Sequence, residues 1–214
     1  MFTIDVHTLK LRKRGGIMKK IACLLLVFLL FSHVAVAGIE SEAGKLLKRS
    51  VDKIFTVLSD KELSLDQKKS KVIEITSPVF GFSLMAKLSL GKEHWSQFNA
   101  KQRTEFIGLF TDLFENFYID KLDFFSNETV VFQPATIVKK KKVLIQTALI
   151  SKGTQYSMLY KMFKTKNVWR IYDFEIEGVS ILRSYRSQYH YFLKKGGIDG
   201  LLEKMREIKE NKKQ

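Results

Sequence analysis

The sequence predicts an α+β fold in a single domain: a four-stranded, mainly antiparallel sheet wrapped by helices. Three observations lead there. Between residues 128 and 176 lie four short runs rich in β-branched and aromatic side chains, divided by turn residues. Ahead of them, from Glu42 to Tyr118, apolar residues recur at helical spacing, and after Gly178 that spacing returns.

Residues 1–37 stand apart from this fold. They hold a basic region, an apolar run from Ile21 to Phe31, and Ala35-Val36-Ala37 ahead of Gly38, the pattern of an export signal that is removed. The run is 11 residues long, short of the roughly 20 that a membrane-spanning helix needs. Met18-Lys19-Lys20 resembles the start of such a leader, which leaves Met1 to Ile17 as an extended basic region or an early start. Cys23, the single cysteine, leaves with it, so the remaining chain has no disulfide or thiol chemistry open to it. The 177 residues from Gly38 onward suit one domain with its own core. They carry 31 basic against 21 acidic side chains, a net +10. Such a surface suits lipid head groups or acidic protein faces before nucleic acid, and solubility alone would also account for it.

Leu46, Leu47, Val51, Ile54, Phe55 and Leu58 share one face of a helix over residues 42–58. Ser64 with Gln67 three residues on is a capping-box signature, and the helix it starts ends before Pro78. Phe80 to Leu90 is apolar all round, which demands cover on both sides, and Gly91 closes it. The longest helix runs from Ala100 to about Lys121, capped by Asn99 with Gln102. It lays Phe106, Leu109, Phe110, Leu113, Phe114, Phe117 and Tyr118 along one wide stripe. Aromatic rings give large buried area with few rotatable bonds, so such a stripe can wall a cavity; a plain core would look the same.

The four strands are Thr129 to Phe132, Lys142 to Ile150, Tyr156 to Phe163 and Val168 to Ile176, with turns at Lys152-Gly153 and Lys166-Asn167. In the second, neither alternating set of side chains is strongly polar, so both faces are expected to be covered. The run Lys139 to Lys142 falls at a hairpin tip, as a solvated turn or as a contact for an anionic partner.

The last strand hands over to a helix. Trp169-Arg170-Ile171-Tyr172-Asp173-Phe174-Glu175-Ile176 reads as strand, Gly178 as a hinge, and Val179, Leu182, Tyr185, Tyr189, Phe192 and Leu193 as a helix. Gly196-Gly197 ends that helix, and Asp199-Gly200-Leu201-Leu202 opens another. This stretch resembles the MlaC family in Trp169, Tyr172-Asp173, Glu177 to Ser180, Tyr185-Arg186, Gly197 and Gly200-Leu201. A second block agrees: Phe80-Gly81-Phe82, Met85-Ala86, Leu90-Gly91, Trp95, Gln102-Arg103 and Phe106 to Phe110. Gly81 departs from the pattern, because the family more often has an acidic or amide residue there.

The resemblance implies a periplasmic phospholipid-binding protein, an auxiliary component of an ABC-transporter system also associated with toluene tolerance and outer-membrane asymmetry. Its implied partners are a phospholipid, an inner-membrane ABC transporter with its substrate-binding ring, and an outer-membrane lipoprotein complex, with no nucleic acid. The fold it implies encloses an apolar lipid-binding cavity between sheet and helices. Phe82, Met85, Leu88, Phe106, Phe110, Leu113, Phe117, Tyr160, Phe174 and Val179 are the expected lipid-binding residues, chosen from apolar pattern and nearness to the matching blocks. No cofactor is expected. The histidines outside the leader, His94 and His190, show no metal-ligand spacing, and no phosphate loop or nucleophile elbow is present. Asp173 and Glu175 share a strand face as a conceivable acid–base pair, although exposed strand carboxylates are commoner. An adaptor that binds proteins and has no cavity, a carrier of hopanoids or other apolar lipids, and a lipid-acting enzyme stay open as alternatives.

Overall fold

Local capping fixes where the helices begin in the computed structural model, which describes residues 41–119 and 128–211. The leader expected over residues 1–37 lies outside the described residues. Helix α1 (Glu42–Ser59) starts at Ser41, whose hydroxyl accepts from Gly44 N at 3.0 Å. Helix α2 (Leu65–Thr76) has the expected capping box: Gln67 N donates to Ser64 Oγ at 3.3 Å, and Ser64 N donates to Gln67 Oε1 at 2.8 Å. Helix α4 (Ala100–Ile119) repeats the device, with Asn99 and Gln102 exchanging bonds of 3.1 and 2.9 Å. Each box satisfies two N–H groups that a helix start otherwise leaves free.

The first segment of helix α3 (Phe82–Gln97) ends at Gly91, as expected, with a second segment beyond. The helix breaks at that glycine, with φ 77° and ψ 169°, and resumes to Gln97. Arg186 fills the break by donating from Nε to the Leu88 carbonyl at 3.2 Å. The last helix, α5 (Ile181–Asn211), is broken in the same way at Gly197, with φ 62°. Among the described residues no helix is long and apolar enough to cross a membrane.

The sheet has six strands rather than four. They are β1 (Thr129–Phe132), β2 (Thr136–Lys139), β3 (Lys142–Ser151), β4 (Thr154–Thr165), β5 (Val168–Ile176) and β6 (Val179–Ser180). Their order is β1-β3-β4-β5-β6, with β2 also on β3, and every pairing is antiparallel. The two added strands are short. β2 is exposed along its length, and β6 is made by a tight turn at Glu177 and Gly178, with φ 50° and 76°. A two-residue strand shows no period, so its residues read as the start of the next helix.

Register sorts the side chains. Val143, Ile145 and Thr147 on β3 lie opposite Met162, Tyr160 and Met158 on β4, and Tyr160 and Met158 lie opposite Phe174 and Ile176 on β5. This inner face carries both buried clusters of the core. The larger joins it to α3, α4 and α5; the smaller joins it to Ala43 and Leu47 of α1 and to Val79. The reverse face corrects the expectation of cover on both sides. Leu144, Ala148, Ile150 and Leu159 are only half-buried there and Gln146 is exposed, and none of them joins either cluster. The α2–α3 joint is pinned to the sheet edge: Ile171 N donates to Val79 O and Gly81 N to Ile171 O, both at 2.8 Å.

Candidate functional site

The larger cluster is an aromatic interior. Phe80 and Phe82, beside and at the start of α3, stack with centroids 5.6 Å apart, and both meet Phe114 of α4 edge-on at 5.5 and 5.7 Å. Phe114 meets Phe174 of β5 at 6.1 Å, and Phe174 stacks on Tyr160 of β4 at 6.2 Å. Toward the other end of α4, Phe110 contacts Tyr185 at 5.5 Å and Phe106 contacts Tyr189 at 5.3 Å, bringing in α5. Three helices and two strands thus share one continuous set of rings. Offset and edge-on pairs of this kind add specificity to area burial.

This interior opens to one side. A groove of about 290 Å³ lies between the two halves of α5, with Leu113 of α4 beside it. Tyr185, Tyr189 and Phe192 line it from the first half, and Leu201, Met205, Ile208 and Lys204 from the second. All the lining residues but Lys204, Ser184 and Gln188 are apolar or aromatic. The break at Gly197 creates this groove by folding one half of α5 back toward the other. Burial raises the Tyr160 and Tyr185 phenols to about 12, the nearby Thr147 hydroxyl partly opposing the shift at Tyr160. Burial, with Tyr185 beside it, lifts Tyr189 well above the ordinary phenol range. The interior therefore keeps its hydroxyls neutral.

The junction between sheet and helix frames the site. Asp173 is buried, and it accepts from Ser180 Oγ at 2.8 Å, from Lys161 Nζ at 2.9 Å and from Leu182 N at 3.2 Å. Burial pushes the Lys161 ammonium down, but its bonds to Glu175 and Asp173 outweigh that and hold it above its usual range. The carboxylate thus locks β5, β6 and the first turn of α5 together.

Comparison with known proteins matches residues 48–207 to the family model described as MlaC protein, three quarters of the chain and all of the interior just described. The chain belongs to the MlaC family. It is 24% identical over 192 residues to the intermembrane phospholipid transport system binding protein MlaC of Haemophilus influenzae, covering 86% of this chain and 88% of that one. Its fold is that of a phospholipid-binding protein from Ralstonia solanacearum, solved in complex with a phospholipid. The TM-score is 0.72 at 23% identity, over 81% of this chain and 100% of that one.

In this MlaC chain the ten residues expected at the pocket divide. Met85, Phe106, Phe110 and Phe174 are buried together in the larger cluster, and Phe82, Leu88, Leu113 and Tyr160 are half-buried against it. Phe117 lies on α4, and its side chain falls outside the described residues. Val179 is a correction: it is 57% exposed, because the tight turn before it places it on the outside of β6. Asp173 is a second correction, buried at the junction rather than exposed on a strand. Tyr185, Tyr189, Phe192 and Met205, which line the groove, were not selected; the helical spacing of the first three around Tyr185 was the available signal.

Proposed function

We propose that this protein is a periplasmic phospholipid carrier. It takes acyl tails into the aromatic interior between the inner sheet face and helices α3, α4 and α5. It then passes the lipid between an outer-membrane lipoprotein complex and an inner-membrane ABC transporter with its substrate-binding ring. The observation that carries this reading is the continuity of the ring-lined interior with an open apolar groove. Moving a tail through water costs about 0.8 kcal/mol per exposed CH₂, so a carrier must enclose tails while the head group stays outside. The groove, about 290 Å³, sits at the low end of the roughly 300–1,000 Å³ of ligand pockets, so a two-tailed lipid requires the wall to part. Half-buried Leu113 lies on that wall and Phe82, Leu88 and Tyr160 pack against the cluster behind it, and the breaks at Gly91 and Gly197 divide α3 and α5 into segments able to move separately.

The reading is of a binding protein rather than an enzyme. Asp173 and Glu175, the conceivable acid–base pair of the sequence, are both held by Lys161, at 2.9 and 2.7 Å. One observation favours the adaptor instead: Met85, Phe106 and Phe110 are as buried as any core residue. Native mass spectrometry of the chain from Gly38 onward, purified from a bacterial periplasm and followed by lipid extraction, separates the two. Phospholipid near one-to-one is the expected result, and an unliganded mass that takes up no added lipid would leave the adaptor.

A further inference from the structure

Between Val143 and Phe174 the inner sheet face is apolar except for two hydroxyls. Thr147 lies opposite Met158 on β4 and Phe132 on β1; Tyr160 lies opposite Ile145 on β3 and Phe174 on β5. They are diagonal neighbours on adjacent strands, close enough for polar side chains to share a ligand atom. Thr147 is 1% exposed, and its Oγ1, which lies close enough to the Tyr160 hydroxyl to act on that phenol, makes no hydrogen bond of ordinary length and angle among the described residues. The Tyr160 hydroxyl donates to Met158 Sδ at 3.8 Å, and a thioether is a weak acceptor. Tyr160 also touches both core clusters, so the pair sits where the two meet.

A buried hydroxyl without a partner is costly, and valine would fill the same space without that cost. Two neutral donors side by side suit one atom with two lone pairs, a carbonyl oxygen. A carboxylate suits the place poorly: Lys161, the cation on the neighbouring residue, is on the reverse face, held by Asp173 and Glu175. An acyl chain linked through an ester brings a carbonyl into apolar surroundings with no charge attached.

We infer that Thr147 and Tyr160 form a polar subsite that hydrogen-bonds an acyl carbonyl of the bound lipid, so that the protein prefers ester-linked diacyl lipids to their ether-linked counterparts. This rests on the carrier reading above. The test offers the delipidated chain from Gly38 onward an equimolar mixture of diacyl and dialkyl phosphatidylethanolamine of equal chain length, and reads the bound ratio by native mass spectrometry. The wild type is expected to favour the diacyl form by roughly tenfold, the value of about one neutral hydrogen bond. Thr147→Val with Tyr160→Phe is expected to bring the ratio of bound diacyl to dialkyl lipid to about one. If the double variant fails to fold, Thr147→Val alone carries the test, with a ratio reduced at least severalfold.

Failure of the wild type to take up either lipid would overturn the carrier reading itself. Equal uptake of both by the wild type, or an undiminished preference in the variants, would overturn the subsite and leave the carrier standing. A free fatty acid added to the mixture tests the source of the carbonyl, and its displacing the diacyl lipid at equimolar concentration would overturn the ester assignment.

Discussion

Gly81 shows how much one position can hold. A Cβ there would lie 2.9 Å from the edge of the Phe163 ring and 3.3 Å from the Ile171 carbonyl that Gly81 N bonds. The larger acidic or amide residue that the family pattern suggests has no room unless Phe163 moves. Gly81→Asn should therefore destabilise the fold by about 1–3 kcal/mol, the usual cost of overpacking. In a Phe163→Ala background the same change should cost less, as urea midpoints of the four proteins would show. The residue scale is also where reading from sequence was weakest. Asp173 was legible as part of a motif but not as a buried clamp, because Lys161 reaches it only through the β4–β5 register, and Ser180 and Leu182 only once β6 has turned back beside β5. Val179 was misplaced for the same reason.

At the scale of elements, what is local was legible. The capping pairs Ser64–Gln67 and Asn99–Gln102 announce helix starts within four residues, and the strands of β3 to β5 announce themselves by composition and turns. β2 and β6 were not legible, since each owes its existence to a neighbour already in place. Gly91 was read as the end of a helix, and locally that is its geometry; that another helical segment follows it depends on Arg186 arriving from α5. Its φ of 77° and ψ of 169° belong to a region essentially closed to side chains. The nearest atom to a new Cβ would be Arg186 Nε at 3.6 Å, so space is not the obstacle. Gly91→Ala should cost about 1–3 kcal/mol through backbone strain alone. Thermal melting checks it: an alanine that stabilises the protein, as in an ordinary helix interior, would mean that the break is not maintained.

For the whole molecule, the aromatic stripe of α4 and the Phe80 to Leu90 segment called for apolar cover, and the larger cluster supplies it by joining α3 and α4 to the sheet. Which rings stand at the groove followed from the fold of α5 about Gly197, a long-range feature without a sequence period. The burial of its phenols has a consequence for pH. Tyr160 and Tyr185 ionise near 12 in the folded protein and near 10 when unfolded. Their raised values contribute stability that is complete below the unfolded value and is lost as pH climbs through the folded one. Stability should thus hold to about pH 10 and fall by about 1–2 kcal/mol per phenol by about pH 12, after discounting for partial exposure. Urea denaturation across that range measures it, and Tyr160→Phe should flatten the fall.

Strand β2 leaves Ile137 and Val138 66% and 52% exposed on a short strand paired to β3. A bare row of apolar side chains and backbone groups invites the same strand of another molecule to pair with it. Lys139 to Lys142 follow at once, and like charges brought together by such pairing repel. The lysine run then acts as a guard against self-association, whatever else it meets. Replacing Lys139, Lys140 and Lys141 by glutamine should leave the melting temperature nearly unchanged while light scattering rises with concentration, most steeply at high salt, where the remaining repulsion is screened.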